Sequence, residues 1–197
     1  MVLQLQKRTM ALAGLVMTVY LFIHMLTNLS FFNQTSFNQF YTWYNAGITR
    51  WVVLFLVSAS LLIHVKAAIK IRKVNAKARM INYRQHDRFK IPAPLVTLSI
   101  LFLLAFIVIH IIQTLVFDSA DVYEELNQLF QSEMMVLFYL SGLFVLMMHL
   151  QHSLANVLQT LGKTSVTHSV FIWIGVLALV GGFALIPVYI YISGVLA

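Results

Sequence analysis

Five long apolar runs constrain this chain more than any other feature. A bilayer hydrocarbon core about 30 Å thick is crossed by about 20 helical residues. Runs suited to that length occupy roughly residues 9–32, 50–72, 92–117, 134–160 and 168–195. No water reaches the backbone inside lipid, so each run must satisfy its own N–H and C=O groups, which a helix does within one segment. That requirement overrides the strand preference of Ile and Val. The expected fold is an all-α integral membrane protein, with five transmembrane helices in a single domain over residues 1–197. Composition agrees, since 10% of the residues are charged against about a quarter in an average soluble domain. Pro92 and Pro94 suit the first turn of the third span, where a missing N–H costs little. Pro187 falls inside the fifth span and is expected to kink it, and Gly181 and Gly182 offer another helix a close approach. The first ten residues do not read as a cleavable signal peptide, because the apolar run after them is too long and no small-residue cleavage site ends it.

Charge gives the orientation. Lys7 and Arg8 precede the first span, nine basic residues lie between Lys66 and Lys90, and Lys163 lies between the fourth and fifth spans. Twelve of the thirteen basic residues thus fall on one side and only Arg50 on the other, while residues 118–133 carry five of the six acids. The positive-inside rule then expects a cytoplasmic N-terminus and an external C-terminus. The net charge of +7 therefore belongs to membrane topology, and no nucleic-acid partner is expected, because the basic residues sit between spans and not on a folded basic face. The basic 73–91 segment reads as a loop facing lipid headgroups or as a docking surface for a cytoplasmic partner. On the other side, "TSFNQFYTWYN" (35–45) is aromatic and uncharged, and "DSADVYEELNQLF" (118–130) has helical spacing with an acidic face. Both are expected to form surface helices.

Four imidazoles interrupt the apolar runs: His24 in "VYLFIHMLTNLSFF", His64 in "SASLLIHVKAA", His110 in "LAFIVIHIIQT" and His149 in "LFVLMMHLQHS". A helix rises about 1.5 Å per residue, so His24 and His110 stand about 22 and 24 Å above the inner edge of their spans. His64 and His149 lie about 14 and 15 residues below the outer edge of theirs, so they share a lower level. Antiparallel spans therefore place the four rings as two level pairs, roughly 15 Å apart in height. Two imidazoles at one depth on different helices are what a bis-histidine haem requires, and two stacked haems would carry electrons across the membrane. The alternative for each ring alone is a helix–helix hydrogen bond or a step in a proton path. With no cysteine in the chain, thiolate-held iron–sulfur clusters, disulfides, zinc ribbons and covalent c-type haem attachment are excluded.

Other residues take lesser roles. Gly142 lies seven residues before His149, on nearly the same helix face, where a missing side chain would admit a porphyrin edge. His152, one turn from His149, would bond a haem propionate or replace His149 as ligand. Lys66, Lys163 and Arg8 would pair with propionates or snorkel to the headgroups. His86 reads as a solvated loop residue and His168 as an interfacial one. Asn28, Asn33, Gln34 and Gln113 lie near the upper level, as quinone-binding donors in an apolar pocket or as helix-end and lipid-facing polar groups.

Taken with the five spans, "FIHMLTNL" and "YLSGLFVLMMHLQHSLANVLQTLG" resemble the first- and fourth-span haem segments of the cytochrome b membrane anchor of bacterial succinate:quinone oxidoreductases, in its single-chain dihaem form. The resemblance covers essentially the whole chain; in the second and third spans it rests on the histidine and its position. It implies two haem b groups, with His64 and His149 holding the one nearer the cytoplasm and His24 and His110 the outer one. It also implies a flavoprotein that interconverts succinate and fumarate, an iron–sulfur subunit docked on the basic face, quinone as substrate, and residence in the bacterial inner membrane. Ser153 stands where the family pattern has Gly. The first outer connection has no acid, and Met147 stands two positions before His149, where some quinol:fumarate reductases carry an acid. These departures favour succinate oxidation with quinone reduction. A dihaem cytochrome b of another complex (quinol:fumarate reductase, hydrogenase, formate dehydrogenase or nitrate reductase) would share the haems but not the partner. A haem-free transporter would use the histidines as a proton relay.

Overall fold

The computed structural model describes residues 2–78, 93–118, 121–160 and 165–196. Among them every regular element is helical: α1 (Val2–Leu29), a short 3-10 turn (Ser30–Phe32), α2 (Gln34–Ala46), α3 (Thr49–Ala78), α4 (Ala93–Val116), α5 (Val122–Phe130), α6 (Glu133–Thr160) and α7 (Val166–Leu196). Five stretches are long and apolar enough to cross a membrane: Gln4–Phe32, Thr49–Asn75, Leu95–Val116, Glu133–Leu158 and Thr167–Leu196. The chain is thus an all-α integral membrane protein with five spanning helices. Their large apolar side chains stay mostly uncovered by protein; Leu26, Phe55, Leu98 and Phe171 are each more than half exposed. A water-soluble chain would bury such a surface, whereas lipid covers it at no cost.

The spans fall within a few residues of the sequence expectation, and the differences are at their ends. α1 begins at Val2 and α3 runs on to Ala78, because Gln, Lys and Arg are good helix formers and the hydrogen-bonded ladder need not stop where the hydrocarbon does. Both connecting stretches expected to be helical are so, as α2 and as α5, which begins at Val122. α7 continues through Pro187 from Val166 to Leu196 without a break. Residues 79–92, which carry His86 and most of the basic segment, lie outside the described residues, as does Lys163.

The chain clusters into two compact units: residues 1–23 with 47–91, and residues 24–46 with 92–197. α1 contributes to both. In the first unit, Ala13, Ala67 and Ile71 are buried and Gly14 lies against the His64 ring. In the second, α6 packs against α4 and α7, and α5 against α2, α6 and α7. At α7, Gly182 leaves room for Met25 of α1: a Cβ there would fall 2.6 Å from the Met25 Sδ. Gly181 meets nothing within 4 Å, so of the two glycines only Gly182 serves a close approach.

The connections of the second unit form a fixed cap. Asn33 caps α2, its Oδ1 accepting from the Ser36 N–H at 3.0 Å, and Asp121 caps α5 by accepting from the Glu124 N–H at 3.2 Å. Asn38 ties the two helices together, donating to Asp121 Oδ1 at 3.1 Å and accepting from the Tyr123 N–H at 3.3 Å. Beneath these bonds Phe31 stacks on Tyr123 with ring centres 4.5 Å apart and meets Phe37 edge-on at 5.5 Å. Phe31 and Phe37 are completely buried.

Candidate functional site

The second unit brings two of the four span histidines together. His24, near the end of α1, and His110, near the end of α4, have ring centres 5.9 Å apart with planes inclined at 56°. Depth arithmetic places them at one level; the fold also turns them toward each other. Aromatic rings enclose the pair. Phe183 of α7 lies 5.4 Å from the His24 ring, held there by the Met25–Gly182 approach one residue away along both helices. Phe106 stacks on His110 at 6.2 Å, and Tyr139 meets His110 edge-on at 5.8 Å.

His110 heads a chain of polar contacts in this otherwise oily place. Its Nδ1 lies 3.2 Å from the Tyr139 hydroxyl. Tyr139 donates to Gln113 Oε1 at 2.8 Å, and the Gln113 amide donates to Met135 Sδ at 3.7 Å. Tyr139 is buried and was not legible as a functional residue from the spacing of the histidines. It stands six residues into α6 and Gln113 three residues before the end of α4, so position along the span places Tyr139, like the already expected Gln113, at the height of His110.

The separation of the pair can be tested against a bis-histidine iron. A metal–imidazole bond of about 2.0 Å, with the ring centre roughly 1.1–1.2 Å behind its nitrogen, puts two axial rings about 6.3 Å apart. The observed 5.9 Å fits that spacing. Two imidazoles on one iron can turn about their bonds to it, so an inclination of 56° does not exclude the pairing. The donor set also fits, since imidazole is an established haem-iron ligand and Phe106 and Phe183 present apolar rings to the pair. No group of three His, Asp or Glu side chains occurs among the described residues; a haem iron needs only two protein ligands.

The remaining candidates are distributed as follows. His64 belongs to the first unit, where its Nδ1 lies 3.0 Å from the Met10 carbonyl oxygen. His149 belongs to the second, half-buried on α6. Gly142 is buried, and what fills its missing side chain is Phe106, whose ring carbons would lie 2.5–2.6 Å from a Cβ. The space that sequence spacing offers to a porphyrin edge is therefore taken by a phenyl ring of α4. His152 is exposed, and its Nε2 accepts from the Asn156 side-chain amide at 3.0 Å. Asn28 accepts the Tyr41 hydroxyl at 2.7 Å, Asn33 is a helix cap, and Gln34 is exposed at the start of α2. Arg8 and Lys66 are exposed on α1 and α3. His168 lies in the first turn of α7, where its Nδ1 bonds the Ser165 hydroxyl.

No protein-family model, curated protein or solved structure matches this chain.

Proposed function

We propose that this chain is a dihaem cytochrome b that anchors a succinate:quinone oxidoreductase in a bacterial cytoplasmic membrane. The observation that carries the reading is the His24–His110 pair: two imidazoles from different spans, 5.9 Å apart in an aromatic enclosure. His24 and His110 would hold one haem and His64 and His149 the other. A haem so held supplies reversible one-electron transfer. Phe106 and Phe183 keep water from the upper pair. His149 is preferred to His152 because its position along α6 matches the depth of His64; His152 lies one turn further on, exposed and bonded to Asn156. Asn28 and Gln113 both accept a tyrosine hydroxyl through their carbonyl oxygens, so a quinone carbonyl would be met by an amide N–H. Gln113 directs its amide at Met135, which makes Asn28 the better quinone candidate. The N-terminus would be cytoplasmic, and the basic 73–91 segment would face the iron–sulfur subunit, which with the flavoprotein carries the dicarboxylate chemistry.

The experiment is a redox difference spectrum of the purified chain with whatever accompanies it, adding succinate before dithionite. The expected result is two b-type haems per chain, at least one reduced by succinate. Reduction by dithionite alone would transfer the cytochrome to a complex with another donor. A chain without haem would overturn the proposal and return the histidines to a proton path.

A further inference from the structure

Acceptor-only atoms at the ends of two hydrogen-bonded contacts fix which nitrogen of two histidines carries the proton. Met135 Sδ has no hydrogen to give, so the Gln113 group facing it at 3.7 Å is the amide N–H, and Oε1 faces Tyr139. An amide oxygen only accepts, so the Tyr139 hydroxyl spends its one proton on Gln113. What Tyr139 then offers His110 is a lone pair, and the His110 Nδ1 at 3.2 Å must be the donor. In the first unit the same logic needs one step. A backbone carbonyl only accepts, so the His64 Nδ1, 3.0 Å from the Met10 oxygen, is also an N–H. Gly14 of α1 lies against that ring; a Cβ there would meet it at an ordinary contact distance of 3.4 Å.

From these two arrangements we infer that the chain presets His110 and His64 as Nδ1–H tautomers, with Tyr139, Gln113 and the Met10 carbonyl as the positioning groups. A neutral imidazole with its proton on Nδ1 keeps its lone pair on Nε2, at the far edge of the ring. That is the state a metal-ligating histidine adopts when its other nitrogen donates to a fixed acceptor. Each ring is thereby oriented as well as tautomerised, before any ligand arrives. The assignment of these tautomers to haem ligation rests on the dihaem reading; the tautomers themselves do not.

The test separates the two. The full-length chain, haem-free in detergent micelles and labelled with ¹⁵N in its histidine rings, reports each tautomer through long-range ¹H–¹⁵N correlations, with His110→Asn and His64→Asn assigning the signals. Expected are Nδ1–H signatures for both rings. Tyr139→Phe should release His110 from that form while His64, in the same molecule, keeps it. An Nε2–H signature for His110 in the unsubstituted chain, or an Nδ1–H signature that survives Tyr139→Phe, would overturn the inference. If the substituted chain fails to fold, the unsubstituted spectrum alone decides. On the haem-loaded chain, Tyr139→Phe should loosen one haem about 10–100-fold and raise its midpoint potential, because an imidazole without an Nδ1 acceptor donates less to ferric iron. The other haem should be unchanged. Tautomers as expected in a chain that takes up no haem would uphold the hydrogen-bond assignment and defeat the cytochrome reading.

Discussion

Replacing Gly142 by alanine should disturb the His24–His110 pair, even though Gly142 shares its helix face with His149. A Cβ at 142 falls 2.5 Å from Phe106 Cδ2, while ordinary contact begins at 3.4 Å, so the ring has to withdraw by about 0.9 Å. It has little freedom to do so. Phe138 and Tyr139 hold it with ring centres 5.4 Å away, and His110 is stacked on it at 6.2 Å. Overpacking of this kind costs about 1–3 kcal/mol, and a rigid ring between three others belongs in the upper part of that range. Alanine recovers about 0.8–1 kcal/mol of helix propensity over glycine, leaving a net loss of about 1–2 kcal/mol. The assay is unfolding of the full chain in detergent, read beside the haem difference spectrum. If the proposed dihaem reading holds, the loss should come with a changed signal from the haem that His24→Ala removes. Phe106→Leu in the same chain takes away the obstructing ring and should restore stability, giving a coupling of about 1–2 kcal/mol in a double-mutant cycle. Strictly additive effects, or a disturbance confined to the haem that His64→Ala removes, would refute the reasoning.

Two further outcomes follow, the first from the proposed dihaem reading and the second from the α2–α5 cap. His24→Ala and His110→Ala should abolish the same b-type spectral component, and His64→Ala and His149→Ala the other; loss of one identical component from His24→Ala and His64→Ala, with both kept in His110→Ala, would break the pairing. Phe37→Ala should destabilise the chain by about 3–5 kcal/mol, because the ring is wholly buried between Phe31, Tyr41 and Tyr123. Thermal unfolding measures it, and a loss below about 1 kcal/mol would show that the α2–α5 cap is not a packed unit.

The spanning helices were legible in the sequence because lipid allows a 20-residue apolar run almost no alternative to helix. Their ends were less so. Nothing in "QLQKR" or "KIRKVNAKA" stops a hydrogen-bonded ladder, so α1 and α3 outrun the hydrocarbon. Height was legible for the same reason as the spans: a fixed rise per residue turns position in the chain into depth, and so His24 and His110 appear as a pair. What spacing along one helix does not encode is the neighbour that faces it. Seven residues separate Gly142 from His149 and put both on one face of α6, yet the side chain received at Gly142 comes from α4 and belongs to the surroundings of His110. Tyr139 escaped for a different reason. In an aromatic-rich chain a tyrosine acquires significance only through its partners, and those partners, Gln113 and His110, come from another helix.

The glycines carry the part of the site that the histidine spacing leaves out. Gly14 lies against His64 at an ordinary 3.4 Å, while Gly142 receives Phe106 and Gly182 receives Met25 where a Cβ would fall under 3 Å away. The first contact is with a span histidine itself, the second with the ring stacked on His110, and the third with the residue next to His24. Gly175 and Gly181 of α7 meet nothing within 4 Å and Gly194 meets only Gln131 at 3.9 Å, so the association is not a general property of glycine in these helices. In a membrane the hydrophobic effect does not drive helices together, and close contact depends on small residues that let surfaces interlock. A chain that must hold imidazoles at a set separation therefore needs its missing side chains where the histidine-bearing helices meet their neighbours. In the proposed reading histidine gives the chemistry, and around the His24–His110 pair Gly142 and Gly182 set how near the helices come.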